Sequence, residues 1–366
     1  MGRTVAVIGG GYGGAAVAKA LDADTDVVLI EPKDAFVHAA GSLRALVQPD
    51  WAGNIFFRYD NLLARGRVVR ERAVALDDGG VTLASGARVD ADYVVLATGS
   101  DYPFPAKTET DVAAEALERL RVAHKELASA PRVLITGAGP VGLELSGEIK
   151  AVWPDKTVTV VDPANELLPG FAPEVRADLH RQLDAIGVDL RLGAAPAELP
   201  PTAPGRAGTF TVPLSTGGDL TADIWFRCHG VRVNTGYLGS LHEQARSPQG
   251  RIRVTEALQV RGYERMYAIG DVTDVAEAKM AGYAMRHAAV VAENIIAQVR
   301  GGQPTAVYRP SPVPSMLLPL GPSGGVGQVP GEDGAASVLP AAAVAEYKGV
   351  DLFVGRFVEL FGTGEG

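Results

Sequence analysis

Two glycine-rich turns each follow a strand-like run and open a helix-like run. Their glycines share the spacing G-x-G-x-x-G and are Gly9, Gly11 and Gly14 in the first turn, and Gly137, Gly139 and Gly142 in the second. In this pattern the first glycine permits a tight turn, the second lets backbone amides approach a pyrophosphate, and the third lets the helix pack against the strand. The helix N-terminus then faces the phosphates with partial positive charge. The spacing therefore predicts two dinucleotide sites in one chain.

An acidic residue ends the strand that follows each turn. Glu31 follows the first turn and Asp162 the second, and a carboxylate at this position accepts the hydroxyls of an adenosine ribose. Asp162 would repel a 2′-phosphate, and the next residues, "PANE", contain no Arg or Lys to attract one. The second site is therefore predicted to favour NADH over NADPH.

The elements around the turns repeat as a module. A strand, glycine turn, helix and second strand occur at the start of the chain and again from about residue 132, and each copy is followed by a β ribbon and a closing strand. The predicted fold is α/β, with two Rossmann-like dinucleotide-binding domains and a small α+β C-terminal domain. The predicted domains are residues 1–108 with 232–300, residues 109–231, and residues 301–366. Apposing two dinucleotides would let a hydride pass from one to the other without water intervening.

Composition restricts the function classes. The chain has 366 residues and a net charge of −9, which argues against nucleic-acid binding by a basic surface. One cysteine, Cys228, provides no intrachain disulfide, no CxxC redox pair and no thiolate zinc site, and no metal site is predicted. No apolar run reaches the roughly 18 residues of a membrane span, and Ala6 breaks the myristoylation pattern. A cytoplasmic location is expected, with at most peripheral membrane contact.

Two further motifs carry a family resemblance. The segment 94–100, "VVLATGS", and the segment 266–272, "MYAIGDV", are strand ends, and with the glycine turns they resemble the pyridine-nucleotide-dependent flavoprotein oxidoreductases. The stretches "EPKDAFVHAAGSLRALV" and "YAIGDVTDVAEAKMAGYAMRHA" are similar to the ferroptosis-suppressor type of apoptosis-inducing-factor-like flavoproteins. Those are NAD(P)H:quinone oxidoreductases related to type II NADH dehydrogenases.

The resemblance implies that the first turn binds FAD and the second NADH, with Asp271 at the ribityl and phosphate region of the flavin. The residues assigned to FAD are Gly9, Gly11, Tyr12, Gly13, Gly14, Glu31, Pro32, Lys33, Arg44, Val74, Thr98, Gly99, Gly270, Asp271, Lys279, Met280 and Ala281. Those assigned to NADH are Gly137, Gly139, Pro140, Val141, Gly142, Glu144, Asp162 and Gly230.

The expected catalytic residues are Lys279, Glu144 and His38. Glu144 and the loop after Gly230 would position the nicotinamide carboxamide, and a helix opening near Lys279 would point its N-terminus at the flavin. An apolar acceptor pocket is expected, with His38 or Phe36 on one side and a C-terminal segment on the other. That segment contributes Met316, Phe353 and Phe357. The sequence also allows purely structural roles for these residues. In that case His38 would be a packed or capping residue, Arg44 would pair with a nearby acid, and Phe353 and Phe357 would belong to the core.

Electrons are expected to leave the flavin directly for a quinone-like acceptor. The segment 36–48, where disulfide reductases of this superfamily carry their cysteine pair on a helix, contains no cysteine, so a disulfide mechanism is excluded. Three alternatives remain: a ferredoxin or rubredoxin reductase, an enzyme acting on one small natural product, and a non-enzymatic NADH-responsive flavoprotein. Either a monomer or a dimer is expected.

Overall fold

A computed structural model describes residues 2–239 and 245–363 of the chain. Its helices are α1 (Tyr12–Leu21), α2 (Ser42–Val47), α3 (Ala113–Ser129), α4 (Pro140–Val152), α5 (Pro173–Ala185), α6 (Ala281–Val299), α7 (Ala341–Val344) and α8 (Val354–Phe361). Its strands are β1 (Thr4–Ile8), β2 (Asp26–Ile30), β3 (Ala35–Val37), β4 (Phe56–Arg58), β5 (Arg67–Val69), β6 (Ala73–Asp77), β7 (Gly80–Leu83), β8 (Arg88–Asp90), β9 (Tyr93–Leu96), β10 (Ser100–Asp101), β11 (Arg132–Thr136), β12 (Thr157–Asp162), β13 (Val188–Leu192), β14 (Phe210–Pro213), β15 (Asp219–Ala222), β16 (Ile224–Arg227), β17 (Arg232–Val233), β18 (Met266–Ala268), β19 (Met316–Leu320), β20 (Gly324–Pro330) and β21 (Ala336–Leu339).

The first glycine turn belongs to a five-stranded parallel sheet with the order β18-β9-β1-β2-β5. Its central strands are runs of β-branched and other apolar residues that are buried almost completely, as parallel strands covered on both faces must be. Helices α1 and α6 pack against each other beside the sheet. Strand β18 is far along the chain from the other four, so the chain returns to this sheet after building a second one.

The second glycine turn belongs to a four-stranded parallel sheet with the order β13-β12-β11-β16. An antiparallel ribbon accompanies each sheet, β6-β7-β8 with the first and β14-β15 with the second. The predicted α/β class with two parallel nucleotide-binding sheets is confirmed. The positions of the domain boundaries stay a prediction.

The C-terminal segment forms an antiparallel sheet of β19, β20 and β21, followed by a π-helical turn at Ala345–Gly349 and then α8. Helix α4 lies close against β19. A Cβ built on Gly147 would lie 2.5 Å from the Cα of Leu320, so only glycine fits at this crossing. The third region is thereby packed directly on the helix that follows the second glycine turn.

Two sequence-based expectations about helices were wrong in their bounds. The predicted helix over 36–48 is a strand, β3, and a short turn before α2 starts at Ser42, because β3 pairs with β4. The apolar residues from Val350 to Phe361 recur near helical spacing, which predicts a helix from Val350, but the helix starts later. Leu352 and Phe353 take the left-handed conformation, with φ of 55° and 66°, and α8 begins only after them. No helix in the described ranges, 2–239 and 245–363, is long and apolar enough to cross a membrane.

Candidate functional site

The two glycine turns fold in the same way. Gly9 and Gly137 have φ of 100° and 104°, a region open to glycine. A Cβ on Gly14 would lie 1.8 Å from the carbonyl oxygen of Gly9, and a Cβ on Gly142 would lie 1.9 Å from that of Gly137. The third glycine of each motif is therefore required by the contact between helix and turn.

The middle glycine of each motif faces open space. A Cβ on Gly11 or on Gly139 would meet nothing within 4 Å. These two residues are the N-caps of α1 and α4, and neither helix start is capped by a side chain. The first amides of both helices are thus left for an external acceptor. A cradle of this shape and polarity fits the pyrophosphate of a dinucleotide.

The two acidic residues hold their turns by equivalent hydrogen bonds. Gly10 N–H donates to Glu31 Oε2 at 2.6 Å, and Ala138 N–H donates to Asp162 Oδ2 at 2.7 Å. The other oxygen of each carboxylate accepts an amide two residues further along, at 3.0 Å and 2.8 Å. Each oxygen keeps a second lone pair for a ribose hydroxyl. Both carboxylates therefore lie beside the phosphate cradle, as the spacing predicts.

Asp271 is held by a residue that the sequence did not single out. The Ser100 hydroxyl donates to Asp271 Oδ2 at 2.5 Å, and the amine of Lys107 donates in turn to Ser100. Burial lowers the pKa of the Lys107 amine, and the Asp271 carboxylate opposes that effect. On the other side, Gly270 N–H donates to His287 Nδ1 at 3.1 Å. The end of β18 is thus fixed by side chains from two distant segments.

The residues around the start of α6 lie where the sequence placed them. Met280 is the N-cap of α6, Ala281 is its first residue, and no side chain caps it. The amine of Lys279 donates to the Val275 carbonyl at 2.6 Å, and burial is the main cause that lowers its pKa. The amine is therefore bound to its own loop, and the open start of α6 remains available to an external acceptor.

Glu144 on α4 has a partner that the sequence did not reveal. The amine of Lys348, in the C-terminal π-helical turn, lies 2.8 Å from Glu144 Oε1, and both side chains are largely buried. Burial raises the pKa of the Glu144 carboxyl, and the charge of Lys348 opposes this effect. Nothing in the spacing of the two residues could have identified the pair.

His38 uses both ring nitrogens within the protein. Its Nε2 lies 2.6 Å from the carbonyl oxygen of Leu352, so Nε2 carries the proton and Nδ1 accepts the hydroxyl of Tyr12 at 3.0 Å. The Tyr12 hydroxyl accepts the amide of Ala40. Burial lowers the pKa of His38 to about 4, so the ring is neutral near pH 7. These bonds tie the C-terminal segment to the first glycine turn through Tyr12.

The expected acceptor pocket is not a single cluster in this structure. Phe357 is 3% exposed and lies 5.2 Å from Phe36 and 4.5 Å from His38, measured between ring centroids. Met316 packs in the other core cluster, beside α4. Phe353 is half-buried at the edge of the Phe357 cluster. Phe357 is therefore a core residue, which is the alternative that the sequence left open.

Arg44 pairs with an acid, which was also an open alternative. Its guanidinium donates to Glu148 at 2.7 Å and to the carbonyl of Val350 at 2.8 Å, and both charged side chains are 3% exposed. Val74 lies on the ribbon strand β6 and is 46% exposed. The packing of these two side chains gives no support to their assignment to FAD, which stays a prediction.

Comparisons with known proteins agree with this geometry. The sequence model of a family described as pyridine nucleotide-disulphide oxidoreductase matches residues 3–294. The chain is 33% identical over 338 residues to ferroptosis suppressor protein 1 of Taeniopygia guttata, covering 89% of this chain and 88% of the relative. It is 30% identical over 376 residues to apoptosis-inducing factor homolog B of Dictyostelium discoideum, covering 97% and 96%. Its fold is similar to that of the sulfide:quinone oxidoreductase of Aquifex aeolicus, with a TM-score of 0.78 at 18% identity over 99% of this chain and 92% of the other.

Proposed function

This chain belongs to the pyridine nucleotide-disulphide oxidoreductase family, and we propose that within it the protein passes electrons from NADH through FAD to a small quinone-like acceptor. Membership makes it an NAD(P)H-dependent flavoprotein oxidoreductase. The observation that carries the proposal is the pair of equivalent cradles, each with an open helix N-terminus and a fixed carboxylate. Two such cradles fit one resident and one exchanging dinucleotide.

The first cradle would hold FAD. The amides at the start of α1 would bind the pyrophosphate, Glu31 the ribose hydroxyls, and Asp271 the ribityl hydroxyls. Ser100 occupies one oxygen of Asp271, which leaves the other as an acceptor. When bound, the flavin supplies the two-electron chemistry, taking a hydride from the nicotinamide and giving electrons to the acceptor.

The second cradle would hold NADH. Asp162 would lie beside the adenosine ribose, with its two carboxylate oxygens held by two backbone amides. A carboxylate accepts two hydroxyls well and repels a phosphate. The proposed preference for NADH over NADPH rests on this residue.

Glu144 and Lys348 would orient the nicotinamide end. Lys348 occupies one carboxylate oxygen of Glu144, so the other oxygen can accept an N–H of the carboxamide. The pair is largely buried, and an electrostatic contact in such a place is stronger than the same contact in water. The C-terminal segment thereby contributes a charge to the site that α4 alone would not have.

The acceptor is proposed to be an external small molecule because the chain has no internal thiol relay. Cys228 is the single cysteine of the sequence, and burial raises its pKa to about 12. A buried neutral thiol is a poor nucleophile. Tyr12 is the half-buried member of the aromatic cluster that it forms with the buried Phe36 and His38, and an apolar two-electron acceptor would approach the cluster there. The cytoplasmic location and the choice between monomer and dimer stay predictions.

The experiment is an anaerobic titration of the purified protein. We expect a yellow flavin spectrum that NADH bleaches rapidly, that NADPH bleaches more slowly, and that a short-chain ubiquinone analogue restores. A matched run with an oxidised ferredoxin tests the iron–sulfur alternative. Restoration by ferredoxin and not by quinone, or bleaching by NADH with no restoration by either, would overturn the proposed acceptor. Protein that binds no flavin would overturn the proposal as a whole.

A further inference from the structure

Arg227 is a charged residue at the end of a buried strand. It closes β16, whose preceding residues Ile224, Trp225 and Phe226 are 0–3% exposed. In the parallel register it lies beside Thr136, the last residue before the second glycine turn. The carboxyl ends of parallel strands form the edge where ligands bind in open α/β sheets. Arg227 therefore lies next to the second phosphate cradle.

The guanidinium of Arg227 has no partner within the part of the chain that the structure describes. Its Nε is buried and makes no hydrogen bond, and its other nitrogens form no hydrogen bond or ion pair with a described residue. Buried polar groups are nearly always paired, because an unpaired one loses its water and gains nothing in return. An arginine left this way beside a ligand cleft indicates a group that arrives from outside.

The guanidinium also lies close to the loop that follows β16. A Cβ built on Gly230 would lie 2.8 Å from Arg227 Nη2, and Gly230 has φ of 90°. The guanidinium therefore lies close over the backbone of the loop that follows β16. The planar guanidinium of arginine is pre-organised, so it loses less conformational entropy for each hydrogen bond that it makes to an anion.

The charge of Arg227 reaches the cleft. His229 lies on the same loop, and burial is the main cause that lowers its pKa, with Arg227 lowering it further and Asp162 raising it. Arg227, His229 and Asp162 thus share one electrostatic environment at this edge. The neighbouring turn contributes the open start of α4, whose Gly139 faces empty space.

We propose that Arg227 binds the pyrophosphate of the nicotinamide dinucleotide and is a binding residue of the second cradle. The strand order decides between this group and a 2′-phosphate. Strand β16 adjoins β11, while β12 with Asp162 lies on the far side of β11. Neighbouring strands are roughly 4.8 Å apart, so the end of β16 is beside the turn and about 10 Å from the ribose end. The inference rests on the proposed binding of NADH at the second turn.

The test compares FAD-loaded wild-type protein, Arg227→Met and Arg191→Met. Arg191 is an exposed arginine on β13, the edge strand of the same sheet, so its variant carries the same charge change away from the turn. The dissociation constants of NADH and NADPH are taken from the concentration dependence of flavin reduction. The dissociation constants of ADP-ribose and adenosine are measured from their competition with NADH. Thermal unfolding without ligand monitors the fold.

We expect Arg227→Met to raise the dissociation constants of NADH, NADPH and ADP-ribose by a similar factor, about 10- to 100-fold. Adenosine, which has no pyrophosphate, should bind as before, and Arg191→Met should match the wild type. A loss confined to NADPH would overturn the proposal in favour of a 2′-phosphate contact, and an equal loss for adenosine would overturn it in favour of a distorted loop. Unchanged constants would overturn it while the proposed function stands. Wild-type protein that binds neither dinucleotide would overturn the proposed function, and this proposal with it.

Discussion

Arg44 and Glu148 form an ion pair of 2.7 Å whose two side chains are both 3% exposed. Arg44 is on α2 and Glu148 is on α4, so the pair joins the segment after the first glycine motif to the helix of the second. The carbonyl of Val350 completes the arrangement. Three separate parts of the chain therefore meet at one guanidinium.

Removing one member of this pair should destabilise the protein strongly. Glu148→Gln leaves the guanidinium buried without a counter-charge, and we expect a loss of about 3–5 kcal/mol in the free energy of unfolding. The double variant Arg44→Met, Glu148→Leu buries no charge and should lose much less. Urea unfolding measures both. A double variant as unstable as the single one would show that packing, and not charge, holds this contact.

Two alanine substitutions in the first motif should separate folding from FAD binding. Gly14→Ala places a methyl 1.8 Å from the Gly9 carbonyl, so the helix must move, and both stability and FAD content should fall. Gly11→Ala meets nothing within 4 Å, so the apoprotein should keep its melting temperature. The methyl would nevertheless stand where the pyrophosphate approaches, and the dissociation constant of FAD should rise. FAD fluorescence and thermal unfolding of the apoprotein measure the two effects, and an unaltered FAD affinity in Gly11→Ala would contradict the assignment.

Asp162→Asn should shift the preference between the two nicotinamide dinucleotides. The amide keeps one acceptor oxygen for the turn and removes the charge that repels a 2′-phosphate, so the ratio of kcat/KM for NADPH over NADH should rise about tenfold. Asp155→Ala is the matched control, because Asp155 is an exposed acid before β12 and its variant also removes one negative charge. Steady-state kinetics with both dinucleotides measure the ratio. Equal ratios in the wild type and in Asp162→Asn would exclude a role in selectivity.

His38 should make stability depend on pH on the acid side. Its folded pKa is about 4, while an unfolded histidine titrates near 6.5. The unfolded state therefore binds more protons between these values, and stability falls as the pH drops from about 6.5 to 4, by roughly 3 kcal/mol in total. His38→Gln should be less stable at pH 7, and its free energy of unfolding should lack this decrease between pH 6.5 and 4. Unfolding curves at a series of pH values test it, and an unchanged slope in the variant would assign the dependence to other groups.

Two phenylalanines of the last segment should differ in their cost to stability. Phe357 is 3% exposed within the aromatic cluster, so Phe357→Ala should lose about 3–5 kcal/mol. Phe353 is half-buried, and Phe353→Ala should lose about 1 kcal/mol. Urea unfolding compares the two. Equal losses would mean that α8 is not anchored by Phe357.

The nucleotide cradles could be predicted from the sequence because each is local. A strand, a glycine turn and a helix follow one another directly, and the acid that supports the turn ends the next strand. Gly14 must be glycine because of the carbonyl of Gly9, and Gly142 because of the carbonyl of Gly137. In both cases the two residues are only five positions apart in the sequence. The buried strands of a parallel sheet can also be predicted from their composition, because they are runs rich in β-branched residues. The fold class and the positions of Glu31 and Asp162 could therefore be predicted from the sequence alone.

What surrounds the cradles was decided by the tertiary structure. Lys348 meets Glu144, and the Leu352 carbonyl meets His38, across 204 and 314 residues of chain, and no local pattern encodes such a return. The start of α8 depends on two non-glycine residues in the left-handed region, which the surrounding structure must hold there. That no described residue forms a hydrogen bond or ion pair with the Arg227 guanidinium is likewise a property of the structure folded around it. Periodicity and motif spacing describe neighbours along the chain, while pairing, burial and the lack of a partner depend on neighbours in space.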